Sequence, residues 1–564
     1  MIEKVYELIS KTENARIVST KEIVGKKSIK KYNQVISVET EVSLNEGLKT
    51  LLLYIVLEEP YSINLPKIFI DEKCYEDIKY IPHINSDLSI CIIDENENFT
   101  YLAEDLPEIT LKLLERVKEI IRSKNEEIEL KSEFEREFSA YWDISYNEKE
   151  TVSENGFCLI DFSNFQNIKA IRLLSNIGFY KYVVYNIEEQ FLLFEKFLKT
   201  QNVKYEEITV FVAHYTKIAP PFRISYNESL KFLKDIPEFK NKINKLSPSE
   251  FIVVFKNNQD ELFGWEFPFI NKRMSGFRPM SNWQFLNSTL SNTEFVSRMR
   301  FSNISPKRLD IRTGGFEINR GLKVAIVGLG SVGSNLLHYL MKYPIAKYCL
   351  IDPDILKVEN VFRHKYGFNY LSHFKTKISE YEILSKNPFT EVVTLEKKIN
   401  NVFSKSSTLL EEYDFRFVVI GVSRIEKYII EHFISITSNK PVILIWVEPY
   451  MASGQLIYLR PEDFQKGIDL INEYPYHVLK KNQNLSIREG SCQTGYMPYS
   501  DMHLNLFLSS LNVILYNLLI NRNHTASKVF SWIGNIDELK GLALEIEEKY
   551  DNHKFTIIGN EFKK

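Results

Sequence analysis

Cysteine is scarce in this chain: five residues among 564, at Cys74, Cys91, Cys158, Cys349 and Cys492, scattered and odd in number. A disulfide framework is not expected, nor, without any Cys-x-x-Cys pair, is a structural zinc. Long blocks of one charge are also missing. Lys and Arg number 71 against 74 Asp and Glu, a net charge of −3, which gives no electrostatic footing for nucleic acid or a membrane surface. The opening MIEKVYELISKTE is amphipathic and acidic rather than a signal peptide. The longest apolar stretch, Leu504 to Ile520, is interrupted by Asn505, Ser509, Ser510, Asn512 and Asn517, and reads as a core helix rather than a membrane span. These absences predict a cytoplasmic protein with reduced thiols. There is no internal repeat and no low-complexity segment, and the length predicts about three or four domains at ~150 residues each.

The character of the chain changes twice, near residues 147 and 304, which predicts domains over 1–147, 148–304 and 305–564. The first holds short alternating strands (YNQVISVET, LKTLLLYIVLE, KIFIDE), a proline-bearing loop around Pro82, and a helical pattern from about Pro107 to Trp142 with apolar residues at helical spacing. The second is irregular. FCLIDFSNF, ITVFVAHYT and FIVVFKNN read as strands, GWEFPFINKRMSGFRPMSNWQFLN reads as an aromatic-rich loop, and no chemistry attaches to either.

The third domain carries the chemistry. The β-branched run Val324 to Val327 enters a Gly-x-Gly-x-x-Gly turn at Gly328, Gly330 and Gly333, and a helical pattern leaves it. Such a turn cradles phosphate: the glycines permit the bend, close backbone approach and helix–strand packing, and the amides of the helix N-terminus face the anion. A second strand, Tyr348 to Ile351, ends in Asp352, at about the ~20-residue distance of a ribose-binding acid. That much suits a nicotinamide dehydrogenase. The next residues do not: Asp354, Asn360 and Arg363 follow within one loop, and Lys377 on a helix, a set suited to an extended triphosphate under nucleophilic attack.

With its glycine loop, Asp-x-Asp, Asn-x-x-Arg and downstream Lys, residues 305–400 resemble the ThiF and ubiquitin-activating family of adenylating enzymes. The resemblance implies an α/β Rossmann-like domain that binds ATP. Asp352 would hold the ribose hydroxyls; Asn360, Arg363 and Lys377 would contact the phosphates; and Arg308 or Arg312 would be supplied across the interface of a homodimer. The family also places an Asp after its next strand to hold magnesium. Here FRFVVIG runs into Val422, Ser423 and Arg424, leaving Asp354, Glu426 and Glu448 as the acids available for that metal.

Cys91, in IPHINSDLSICIID, follows a proline-containing loop and precedes a polar loop and a helix. This setting resembles the active-site cysteine of ubiquitin-conjugating enzymes, an α+β fold. Pro82, His83, Asp87 and Cys91 fit a bacterial variant of the signature, with Leu88 where that variant has glycine, and Asn85 is a partial match to the usual oxyanion-stabilising Asn. An exposed cysteine near a His can carry an acyl group as a thioester. Cys349, Cys158 and Cys74 read as structural, whereas Cys492, flanked by Gly, Ser, Gln and Thr in REGSCQTGY, lies downstream of the adenylation core where the family's thioester cysteine occurs. One of Tyr499, Ser500, Asp501 and His503 would position its thiolate.

A conjugating-like domain, a mixed α/β middle domain and a ThiF-type domain, in that order, resemble the fused activating and conjugating enzymes of bacterial antiphage CBASS operons. The resemblance implies that a partner's C-terminal carboxylate is adenylated, passed to Cys492, then to Cys91, and ligated to a target lysine. The partner would be a cGAS-like nucleotidyltransferase or another protein with a conjugatable C-terminus. A sulfur-carrier adenylyltransferase, a dehydrogenase and a non-catalytic scaffold are the competing expectations.

Overall fold

The computed structural model describes the chain except residues 24–28, 30–31, 33, 79–80, 86, 94–99, 143–154, 214–223, 235, 240–241, 243–249, 268–295, 482, 484, 486, 489–494, 523–525 and 561–564. Cys492 and the expected boundary at residue 147 fall outside the described residues. Two compact units emerge, one of residues 1–187 and 204–305, the other of residues 188–203 and 306–564.

The first unit begins with an antiparallel sheet ordered β1 (Asn14–Ser19), β2 (Gln34–Leu44), β3 (Gly47–Val56), β4 (Lys67–Ile70). Alternation selects its inner face: Val38, Thr40, Val42 and Leu44 of β2 are buried while Glu39, Glu41 and Ser43 are exposed. Helices Ile2–Ile9 and Leu106–Arg122 cover that face with Val5, Ile9, Leu114, Val117 and Ile121, each such side chain contributing about 1.5–3 kcal/mol when fully buried. The single helix expected over Pro107 to Trp142 is three: Leu106–Arg122, Glu127–Arg136 and Phe138–Trp142. Asn125 makes the first break, because its side chain accepts from Asn45 N at 2.8 Å and donates to Ser43 O at 3.1 Å, pinning the chain to the β2–β3 hairpin.

Seven further strands, β5 (Asn155–Leu159), β6 (Lys169–Ile177), β7 (Tyr180–Tyr185), β8 (Tyr205–Val212), β9 (Phe251–Lys256), β10 (Leu262–Phe267) and β11 (Ser297–Asn303), close into a barrel in the order β10-β11-β5-β7-β6-β8-β9. The segment expected to open an aromatic loop with GWEF is instead β10, buried along its whole length. Trp142 packs into the barrel core, its ring centroid 5.3 Å from that of Phe263 and its Nε1 donating to Met299 O at 2.9 Å.

The second unit is built on an eight-stranded sheet ordered β14-β13-β12-β15-β16-β17-β20-β21. Strands β12 (Leu322–Val327), β13 (Ile345–Ile351), β14 (Glu391–Leu395), β15 (Phe415–Val418) and β16 (Val442–Val447) run parallel, and β17 (Ser453–Leu459), β20 (Lys528–Asn535) and β21 (Lys554–Asn560) continue antiparallel. A short ladder of β18 (Ile487–Arg488) with β19 (Gly495–Tyr496) stands apart from the sheet. Helix Glu188–Thr200 belongs to this unit, with Phe194 stacked against Phe389 at 6.1 Å between centroids. The segment Asp501–Asn521 is long and apolar enough to cross a membrane by length and composition; here Leu504, Phe507, Leu508, Leu511 and Leu515 pack in the core of the sheet.

Candidate active site

A cavity of about 700 Å³ opens at the carboxyl ends of β12, β13 and β15, with Val327, Ile351 and Val419 in its floor. From β12 the sheet grows toward β13 and β14 on one side and β15 on the other, and the crevice at such a reversal is where α/β sheets bind ligands. The glycine turn forms one wall. Gly328 has φ +96°, and a Cβ on Gly333 would lie 2.1 Å from Gly328 O, so both positions require glycine. A Cβ on Gly330 would meet nothing within 4 Å, leaving open backbone at the first turn of helix Ser331–Leu340.

Asp352 is 5% exposed, at the end of β13. Its Oδ2 accepts from Leu329 N in the glycine turn at 2.6 Å and its Oδ1 from Asp354 N at 2.8 Å. Burial pushes this carboxyl above the ordinary Asp range, and the ammonium of Lys375 opposes the rise. Lys375 is buried and lines the cavity, 3.2 Å from Asp354 Oδ2 and 4.0 Å from Asp352 Oδ1. His364 closes the back of the turn through Nε2 and Leu329 O at 2.8 Å. Burial lowers this imidazole to about 4, so it is neutral and serves as a brace.

Asn360, Arg363 and Lys377, which the resemblance implied at the phosphates, are not among the cavity walls. Asn360 Oδ1 accepts from Lys357 N at 3.2 Å, and the Arg363 guanidinium lies 5.2 Å from the Tyr499 ring. Lys377 Nζ is held by Thr394 Oγ1 at 2.7 Å and Glu380 Oε2 at 3.0 Å. The cations that do line the cavity are Lys375, Lys397, Lys398 and Arg424, none of them singled out as a ligand from the sequence. Arg312 is exposed on helix Pro306–Gly314 and is likewise absent from the walls.

The acids named for magnesium do not converge. Asp354 is paired with Lys375. Glu426 is buried, accepts from Gly421 N at 3.0 Å, and is pushed by burial to about 7. Glu448 accepts from His477 Nδ1 at 2.6 Å, Ser453 Oγ at 2.9 Å and Val478 N at 3.0 Å. Among the described residues no group of three or more His, Cys, Asp or Glu is placed to hold a metal ion.

Cys91 is exposed just after a tight turn in the first unit. The turn is closed by the bridge between Ile84 and Ile90 and by Asp87 Oδ1, which accepts from Ser89 N at 3.0 Å. Leu88 has φ +65°, the left-handed conformation that glycine favours, which accounts for glycine at this place in the related signature. Cys91 N donates to His83 O at 2.7 Å, so the turn brings the two residues together through the backbone. The His83 ring faces Glu137 Oε1 at 3.2 Å and Glu133 Oε2 at 3.8 Å. Asn85 donates to Ser89 Oγ at 2.9 Å, within the turn. Cys158 and Cys349 are buried, burial raising the Cys349 thiol to about 12, and Cys74 Sγ accepts from Leu52 N at 3.4 Å. Near the end of the Cys492 segment, Pro498 O accepts from Tyr450 N at 2.6 Å, and Ser500 Oγ caps the helix Asp501–Ser510 through His503 N.

Residues 16–151 match the model of the prokaryotic E2 family B, and residues 306–457 match the model of the ThiF family. No curated protein matches the chain. Among solved structures, that of PaaA is 15% identical over 43% of this chain and 64% of its own, with a TM-score of 0.29. E. coli MccB with ATP gives 15%, 43%, 64% and 0.28. The microcin C7 biosynthetic enzyme MccB in complex with N-formylated MccA gives 15%, 43%, 65% and 0.28. The chain thus spans slightly less than two thirds of the length of each.

Proposed function

We propose, for a chain that joins a prokaryotic E2 family B domain to a ThiF-family domain, that it activates the C-terminal carboxylate of a protein partner with ATP and conjugates it to an amine. The observation that carries this reading is the cavity at the sheet's reversal, where an open glycine turn, a buried Asp352 and an ammonium on Lys375 meet, on the same polypeptide as an exposed Cys91. The turn's amides and the cavity's cations hold the phosphates, and Asp352, braced on Leu329, faces the ribose. The partner's carboxylate oxygen attacks the α-phosphorus, the bond to the β-phosphate oxygen breaks, and pyrophosphate leaves. Cys492 sulfur then forms a bond to the acyl carbon while AMP departs, and the acyl group moves to Cys91 by thioester exchange. A target lysine finally displaces Cys91. Arg312 contributed across a homodimer, a cGAS-like nucleotidyltransferase as the partner, a role in antiphage defence and a cytoplasmic setting are the finer parts of the same reading. The resemblance implies magnesium with the ATP, but the cavity's acids fit that ion poorly, since Asp352 already accepts from Leu329 N and Asp354 N and Asp354 pairs with Lys375.

The test is incubation with ATP, magnesium and a candidate partner bearing a free C-terminus, read by non-reducing gels and intact mass for wild type, Cys91→Ala and Cys492→Ala. A thiol-sensitive adduct that Cys492→Ala abolishes and Cys91→Ala leaves on Cys492 is the expected result. Full product from Cys91→Ala would favour a sulfur-carrier adenylyltransferase. No adduct and no partner-dependent pyrophosphate, with the partner bound, would leave a scaffold.

A further inference from the structure

The wall of the cavity opposite the glycine turn has a charge pattern the family resemblance does not account for. Where the resemblance has an acid after β15, this chain has Val422, Ser423 and Arg424, and Arg424, the second residue of helix Ser423–Ser435, lines the cavity. Lys397 and Lys398, in the turn after β14, line it as well. All three are exposed, and none has an acidic partner among the described residues. The nearby acids each already have a partner. Both oxygens of Asp352 accept backbone amides, and Asp354 pairs with Lys375. Glu396 accepts from Thr376 Oγ1 at 3.2 Å and lies 3.9 Å from Lys377 Nζ, while Glu426 turns back onto Gly421 N.

Magnesium at a nucleotide site is ordinarily held by one or two carboxylates together with the substrate's phosphates. Here a divalent cation would have to compete with backbone amides for Asp352 and with Lys375 for Asp354, and would approach three cations that have no acidic partner among the described residues. We infer that the cavity takes its nucleotide as the metal-free polyanion, with Arg424, backed by Lys397 and Lys398, supplying the charge that a divalent cation brings elsewhere. The inference rests on the nucleotide reading above and deepens it. A guanidinium suits the task, because it is permanently charged and offers a planar fork of donors to phosphate oxygens. Its charge also stays in the site through turnover, so pyrophosphate leaves from fixed protein cations.

The experiment is titration calorimetry of the full chain with ATP and with adenosine, in excess EDTA and again with magnesium. ATP should bind in EDTA with a Kd within about threefold of that in magnesium. Arg424→Gln should weaken ATP in EDTA by at least about tenfold, equivalent to about 1.4 kcal/mol, and adenosine by less than about threefold. Arg424 is exposed, so the variant keeps its fold, and an unchanged melting curve verifies this. Wild-type ATP binding that strengthens tenfold or more on adding magnesium would overturn the inference, as would an Arg424→Gln variant that binds ATP normally in EDTA. Absence of ATP binding under both conditions would remove the nucleotide reading itself, a separate outcome.

Discussion

Two lysines show what a sequence can and cannot assign. Lys375 and Lys377 open the same helix, Lys375–Lys386, and two residues on a helix differ by about 200° in direction, so only one of them faces a given site. A motif can find the pair; choosing between them needs the helix start, which Phe374 sets here as the last extended residue. Lys375→Met should weaken ATP by about tenfold or more, while Lys377→Met, whose ammonium sits on Glu380 and Thr394, should change it less than about twofold. The reverse order, measured by titration calorimetry, would return the site to the sequence's choice. Glu426 offers a second test at this scale. Burial raises its carboxyl from the ordinary 4.5 to about 7, so between about pH 5 and 7 the folded chain keeps a proton that the unfolded chain has released. Stability therefore falls as pH rises through that window and levels above it, by about 3 kcal/mol in all. Glu426→Gln keeps an acceptor for Gly421 N and removes the titration. It should melt with wild type at pH 5 and above it at pH 8, and a difference that does not vary with pH would show that folding does not raise the Glu426 carboxyl.

At the scale of elements, the glycine turn was legible because its three glycines obey local rules, yet those rules assign different jobs to different positions. Gly333→Ala forces a Cβ to 2.1 Å from Gly328 O and should cost at least about 3 kcal/mol, lowering the melting temperature of the second unit by about 6 °C or more. Gly330→Ala puts a methyl into open space, so it should melt like wild type and lose affinity for ATP over adenosine by blocking the approach of phosphate. Equal melting losses in both variants would contradict this division. The helix predicted over Pro107 to Trp142 failed for the opposite reason. Its apolar spacing continues through Ser123–Asn125, but Asn125 is recruited by the β2–β3 hairpin, 80 residues away in sequence, and no local pattern reports such a partner. The turn before Cys91 lies between these cases: Pro82, His83 and Asp87 could be matched to a signature, while the left-handed Leu88 follows only from the closed turn.

Across the whole molecule, the sequence resolved the ends better than the middle. The outer regions carry recurrent local patterns, but the barrel depends on pairings such as β11 with β5 and β8 with β9, which join segments far apart in sequence and leave no periodic trace. The barrel also shares a compact unit with the Cys91 sheet, with Trp142 lodged among its aromatic side chains, whereas the nucleotide cavity belongs wholly to the other unit. Each unit has its own core, and a ligand stabilises only the folded unit that binds it. Scanning calorimetry of the full chain should therefore show two transitions, and ATP at about a hundred times its Kd should raise one of them by the equivalent of about 2.7 kcal/mol while leaving the other in place. Trp142→Ala, which empties a fully buried indole site in the first unit, should lower the other transition by about 3–5 kcal/mol and leave ATP affinity unchanged. A single transition that moves as a whole with both ATP and Trp142→Ala would mean that the two units unfold as one.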